Sequence, residues 1–289
     1  MLEYLGDKIK NEIFSFTNYD NLTEIRVRAS KGVFISYFDY YRKLSESRLT
    51  YIPDIADVEK IVLRLCNFSV FCAEESIKQG YITSNDGERV GICGKCVIGV
   101  GGKVQTIKDI SSLVIRIPKQ IKGFLQSFFD KYYTDGIKSC LVVSPPFGGK
   151  TTFIRELGRL ISDEKKTDVL FVDERDELSA SGKFDLGKNS DIMRYCDKRF
   201  GFYNGVRALN PKVIVCDELM DDNDVKGVIF AAASGVKTIA TIHGNNIKDL
   251  QNKSEFNEII KSGIFDIILE LKDFIPKKVY IFDGGKIIC

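Results

Sequence analysis

The sequence predicts an α/β protein, a parallel-sheet domain built around a phosphate-binding loop and preceded by a smaller α+β domain. Three observations predict it. Beyond Gly136, apolar strand-length runs alternate with helix-length amphipathic ones, the order that places a parallel sheet between two helical layers. Ser144 to Thr152, SPPFGGKTT, joins one such strand to one such helix. A further apolar run, Lys212 to Cys216, ends in Asp217-Glu218. The expected domains are residues 1–128 and 129–289.

In the first of these, helical patterns at Met1 to Phe16 and Asp54 to Phe71 alternate with strand-like segments at Thr23 to Val27, Gly32 to Tyr37, Glu88 to Val97 and Ser112 to Ile117. Asn85-Asp86-Gly87 and Gly99 to Gly102 supply turns. Leu113 to Phe129 reads as a strand and then a helix leading into the second domain. There the expected order is strand 138–143, helix 151–162, strand 168–173, helix 190–208, strand 212–217, helix 222–234, strand 236–241 and strand 265–271. Lys277 to Cys289, with Asp283-Gly284-Gly285 between short apolar runs, reads as a hairpin.

A chain of 289 residues with 44% hydrophobic content has the material for one large or two ordinary cores. Its 42 basic and 40 acidic residues leave a net charge of +2, no global basic field, so nucleic acid is not the expected main partner. Cys140 and Cys216 fall in expected buried strands, which reads as reduced thiols in cytoplasm. Cys93 and Cys96 form one CxxC without a second pair at zinc spacing, and the sole histidine is distant at 243, so structural cysteines are expected. Without a signal peptide or an 18-residue apolar run in the sequence, membrane association is expected to be peripheral or through a partner.

The chemistry concentrates on the loop. A strand-to-helix turn leaves backbone N–H groups and the positive end of a helix facing a pocket, and Gly148 and Gly149 let the backbone approach an anion. Lys150 is expected to bridge the β- and γ-phosphates of a nucleotide, Thr151 to join a Mg²⁺ shell, and Thr152 to extend the phosphate contacts. Ser144 stands where the GxxxxGKT pattern has its first glycine, and Phe147 adds a ring that must point away from the phosphates. Asp217 can hold Mg²⁺ through water, and Glu218 can deprotonate an attacking water, which simple phosphate binding does not need. Asp173-Glu174-Arg175 brings a second acidic pair to the same sheet edge, since ligands bind at the carboxyl ends of such strands. His243 closes another strand, either as a γ-phosphate contact or as a turn histidine before Gly244 and Asn245. Arg175, Arg194 and Arg207 are candidate phosphate cations, or members of solvated helix faces.

Nearly the whole chain resembles the stage III sporulation protein AA family, a branch of the secretion-type ATPases. The resemblance is carried by LTEIRVR, GYITSNDGERVGICGKCV, TIKDISSLVIRIPKQIKG, SPPFGGKTT, VDERDELS, GVRALNPKVIVCDEL and TIATIHGNN. In that family SPP commonly opens the loop. The resemblance implies that Glu174 matches the acidic box, Asp217 and Glu218 the Walker B pair, and His243 the histidine box. It further implies a RecA-like sheet of order 5-1-4-3-2, ATP and Mg²⁺ as ligands, and a hexameric homo-oligomeric ring. Such a ring powers membrane proteins of a channel complex from the mother-cell cytoplasm toward the forespore. Leu219-Met220-Asp221 departs from the isoleucine and glycine usual after the acidic pair, and Ala180 to Asn189 is short. Arg116, on the strand before the inter-domain helix, is the arginine expected to reach nucleotide.

Two rival readings follow from the residues. Gly91-Ile92-Cys93-Gly94, with Arg89 and Lys95 beside it, has the form of a KH-type GxxG loop, which would make the chain a nucleotide-regulated nucleic-acid binding module. The other is a scaffold that binds ATP without hydrolysing it.

Overall fold

The computed structural model describes the chain apart from residues 40–42, 68–72, 85–88, 118, 147, 252–258, 260–261, 273, 284–285 and 289. It comprises two compact units, Met1–Lys119 and Gln120–Cys289. Among the described residues no helix is long and apolar enough to cross a membrane.

The first unit packs its helices against an antiparallel sheet. Its helices are α1 (Asp7–Phe16), α2 (Ile55–Leu65) and the short α3 (Glu74–Lys78), and its strands are β1 (Leu22–Arg28), β2 (Gly32–Phe38), β3 (Leu44–Arg48), β4 (Tyr81–Thr83), β5 (Arg89–Ile98) and β6 (Val104–Arg116). The sheet runs β3-β2-β1-β6-β5-β4. Alternate residues Ile25, Val27, Val33, Ile35, Leu113 and Ile115 face Ile9 and Ile13 of α1 and Val58, Ile61 and Leu65 of α2. A reciprocal Asp54–Asp57 cap starts α2, and Gly6, at φ 81°, separates α1 from a 3-10 turn at Leu2–Leu5, so Met1 to Phe16 is not one helix.

The GxxG segment is not a loop. Gly91 to Gly94 lies inside β5, with Gly91 opposite Val114 and Cys93 opposite Ser112, so it is a paired strand and not a phosphate-clamping loop. The Asn85-Asp86-Gly87 turn falls outside the described residues, and Gly99 to Gly102 does connect β5 to β6.

The second unit holds α4 (Gln126–Tyr132), β7 (Cys140–Ser144), α5 (Lys150–Glu164), β8 (Val169–Asp173), β9 (Ser190–Arg194), α6 (Lys198–Asn204), β10 (Val213–Cys216), α7 (Asp222–Ala233), β11 (Lys237–His243), α8 (Ile247–Gln251), β12 (Ile267–Lys272), β13 (Ile275–Asp283) and β14 (Lys286–Ile288). The sheet order is β14-β13-β12-β7-β11-β10-β8-β9. Its central five strands, β12-β7-β11-β10-β8, are the 5-1-4-3-2 arrangement of a RecA-like sheet and are parallel throughout. Strands β7, β8 and β10 are buried along their whole length because both faces are covered. Cys140, Val142, Phe171 and Val215 meet Phe153, Ile154 and Leu157 of α5 on one side. Leu141, Val143, Val172 and Ile214 meet Phe202 of α6 and Val225 and Val228 of α7 on the other.

One expected element is wrong. The helix at 190–208 is instead strand β9, then α6, then a π-helical turn at Gly205–Leu209. Ser190 to Arg194 adds to the sheet edge in parallel register with Val169 to Asp173, and the Asp197 carboxylate caps α6 through the Phe200 N–H at 2.7 Å. Pairing with β8, a long-range contact, overrides the local helical pattern.

Candidate active site

The first residue of α5 is Lys150, directly after Gly149, whose φ of 94° is left-handed backbone open to glycine. A Cβ on Gly149 would lie 2.5 Å from the Phe274 ring, and one on Gly148 would lie 2.0 Å from Ser144 Oγ. The loop is therefore narrow and bare, and the first N–H groups of α5, which lack intrahelical acceptors, stand at its floor.

Three parallel strand ends converge on this loop. β11 lies between β7 and β10 and sets His243 beside Ser144 in register. Lys150, only 7% exposed, donates through its ammonium to the Ser144 and Pro145 carbonyls at 3.4 and 3.2 Å, and its Nζ lies 3.0 Å from His243 Nδ1. Burial pulls its pKa below the usual lysine range, and the Glu218, Asp217 and Glu177 carboxylates offset part of that. The Thr151 hydroxyl donates to Asp217 Oδ2 at 3.0 Å. Thr241 Oγ1 and the Glu218 N–H both donate to Asp217 Oδ1, at 3.1 and 2.9 Å. Glu218 Oε1 lies 3.0 Å from His243 Nε2.

These groups surround a cavity of about 470 Å³. Of the expected residues, Gly148, Gly149, Lys150, Thr151, Thr152, Asp217, Glu218 and His243 line it, and Arg175 does too. Ser144 is buried behind the loop, its hydroxyl on the Pro145 carbonyl at 3.2 Å. Glu174 lines a smaller neighbouring cavity together with Asp217 and Glu218, and it is ion-paired to buried Lys198 at 2.5 Å. Arg116 is exposed near the end of β6 in the first unit, opposite Glu24. Arg194 is exposed on β9, and the Arg207 guanidinium lies over the Phe230 ring at 5.9 Å. Phe147 lies outside the described residues.

Two lining residues escape the sequence reading. Glu177 is the last acid of the DERDE run and is hydrogen-bonded to Asp217; desolvation and the Asp217 charge push its carboxyl above the usual glutamate range. Its loop is shaped by Asp173, whose buried carboxylate accepts the N–H groups of Glu177, Leu178 and Ser179 at 2.8, 3.1 and 2.8 Å. Arg155 of α5 secures the same loop through the Glu177 and Leu178 carbonyls at 2.6 and 2.8 Å, burial pulling its pKa down to about 10. The run of acids in 173–177 is the one local signal for Glu177. Phe274 also lines the cavity, and nothing near it in sequence marks it.

The donor set suits a hard cation. A threonine hydroxyl and a carboxylate 3.0 Å apart beside the first turn of α5 are oxygen donors of the kind that suit Mg²⁺.

A family model described as sporulation stage III, protein AA matches residues 5–282. Stage III sporulation protein AA of Bacillus subtilis (strain 168) is 30% identical over 279 residues, covering 93% of this chain and 89% of its own length. Among solved structures, the Legionella pneumophila ATPase DotB superposes with a TM-score of 0.60 at 13% identity, over 91% of this chain and 78% of its own. The pilus retraction motor PilT with bound ADP gives 0.60 at 14% identity, over 93% and 77%. The two structures establish likeness of fold.

Proposed function

The chain belongs to the sporulation stage III protein AA family, and from that premise we propose that it is an ATP-hydrolysing motor for a channel complex between mother cell and forespore. The observation that carries this reading is the 3.0 Å contact between Thr151 and Asp217, which joins the phosphate loop and the acidic strand end in one cavity.

Lys150 and the backbone from Gly148 to Thr152 bind the β- and γ-phosphates. Thr151, and Asp217 through water, would hold Mg²⁺, which supplies neutralising charge to the phosphate oxygens. Glu218 orients a water and takes its proton as the water oxygen bonds to the γ-phosphorus. The bond from that phosphorus to the β–γ bridging oxygen breaks, and ADP leaves with the electron pair. His243, in contact with both Lys150 and Glu218, senses the γ-phosphate. Glu174 positions water behind Glu218 from the smaller cavity. Family membership supports a homo-oligomeric ring, hexameric, on the cytoplasmic side of membrane partners in the mother cell. That PilT is a motor seen with ADP, and DotB an ATPase, supports the same chemistry on this fold.

Lys150→Ala is expected to lose MgATP affinity, whereas Glu218→Gln keeps it and loses hydrolysis by about 10²–10⁴-fold. Calorimetric binding and steady-state phosphate release separate the two. The reading fails if Glu218→Gln hydrolyses ATP at the wild-type rate.

A further inference from the structure

The cavity at the phosphate loop has two chemically different sides. Strand order sets them: β11 and β10 lie on one flank of β7 and bring His243, Asp217 and Glu218, while β12 lies on the other flank and leads to Phe274. Phe274 is tied to the loop by its N–H, which donates to the Gly148 carbonyl at 3.1 Å. Its ring lies over Gly149, 2.5 Å from where a Cβ there would stand, and yet the residue remains 45% exposed. Its φ of 64° is that of a hairpin turn, in the connection where Lys272 of β12 pairs with Ile275 of β13. A large ring is thus held out of the core at the rim of the cavity. An exposed aromatic face at such a rim is open to a flat partner.

We propose that Phe274 is the platform on which the nucleobase stacks, and that the site for this reason takes purine nucleoside triphosphates ahead of pyrimidine ones. The inference rests on the nucleotide-binding reading above. With the terminal phosphate toward Glu218 and the phosphate chain held by Lys150 and the start of α5, ribose and base must leave toward the flank that Phe274 occupies. Stacking rewards ring overlap, so a two-ring base gains more from a phenyl face than a one-ring base.

Equilibrium binding of MgATP, MgCTP and magnesium tripolyphosphate, which has the phosphates without a base, tests this. Phe274→Ala is expected to bind MgATP at least about fivefold more weakly, with tripolyphosphate unchanged and the ATP-to-CTP preference narrowed. Phe274→Gly gives the same result while relieving the backbone, so the loss is traceable to the ring. Phe274→Trp adds the sole tryptophan of the chain, and its emission should be quenched by MgATP and not by tripolyphosphate. Wild-type protein that binds neither MgATP nor tripolyphosphate overturns the nucleotide reading and this inference together. Wild-type protein that binds MgATP, with Phe274→Ala losing ATP and tripolyphosphate in equal proportion or losing neither, overturns this inference alone.

Discussion

Lys150 Nζ lies 3.0 Å from His243 Nδ1. An ammonium has no lone pair to offer, so Nδ1 is the acceptor and the imidazole proton sits on Nε2, 3.0 Å from Glu218 Oε1. His243 therefore connects the phosphate-loop lysine to the acid of the Asp217-Glu218 pair.

If that link reports the γ-phosphate, His243→Ala should lower turnover by about tenfold or more and leave ADP affinity nearly unchanged. Titration with ADP alongside steady-state kinetics checks this. Equal losses in the two would mean that the imidazole merely holds its turn.

Glu177 and Glu174 are separable by thermal stability. Glu177 has a folded-state pKa raised by desolvation and by Asp217, so the stability linked to its proton is complete below the usual glutamate value of 4.5 and is lost as pH rises through the raised value. Glu177→Gln removes that loss. Its melting temperature should exceed the wild-type value at neutral pH, with the gap closing in acid. Glu174→Gln, which breaks a contact with buried Lys198, should melt lower than wild type at neutral pH. A melting series of both variants from pH 4 to pH 8 distinguishes the two outcomes.

Lys150 and Arg175 are the cations that line the cavity among the described residues. A neighbouring subunit completing the charge around a triphosphate would make assembly depend on nucleotide. Light scattering of Glu218→Gln should give a larger particle with MgATP than with MgADP or buffer. A monomer at micromolar concentration across several salt conditions counts against a self-assembling ring.

Thr238, on β11, buries its hydroxyl without a hydrogen-bond partner among the described residues. Thr238→Val keeps the shape and removes the unpaired group, so it should stabilise the protein by about 1 kcal/mol. Chemical denaturation provides the measure, and a lower midpoint would reveal a partner for that hydroxyl.

The Ser144–Thr152 loop, the acidic pair and His243, which line or adjoin one cavity, are readable along the chain because each is a few contiguous residues at the end of an apolar run, and the geometry of a strand-to-helix turn is local. Strand order is implied by family resemblance and not by periodicity, which identifies strands without saying which lie side by side. Three features had to wait for the folded chain. Ser190 to Arg194 is a strand because β8 offers an edge to pair with, Glu177 reaches Asp217 because Asp173 and Arg155 fold its loop back, and Phe274 meets Gly149 across more than a hundred residues. Hydrogen bonding to a neighbouring strand, desolvation of a carboxyl and contact between a ring and a bare backbone are all set by partners distant in sequence. No window of residues contains both members of such a pair.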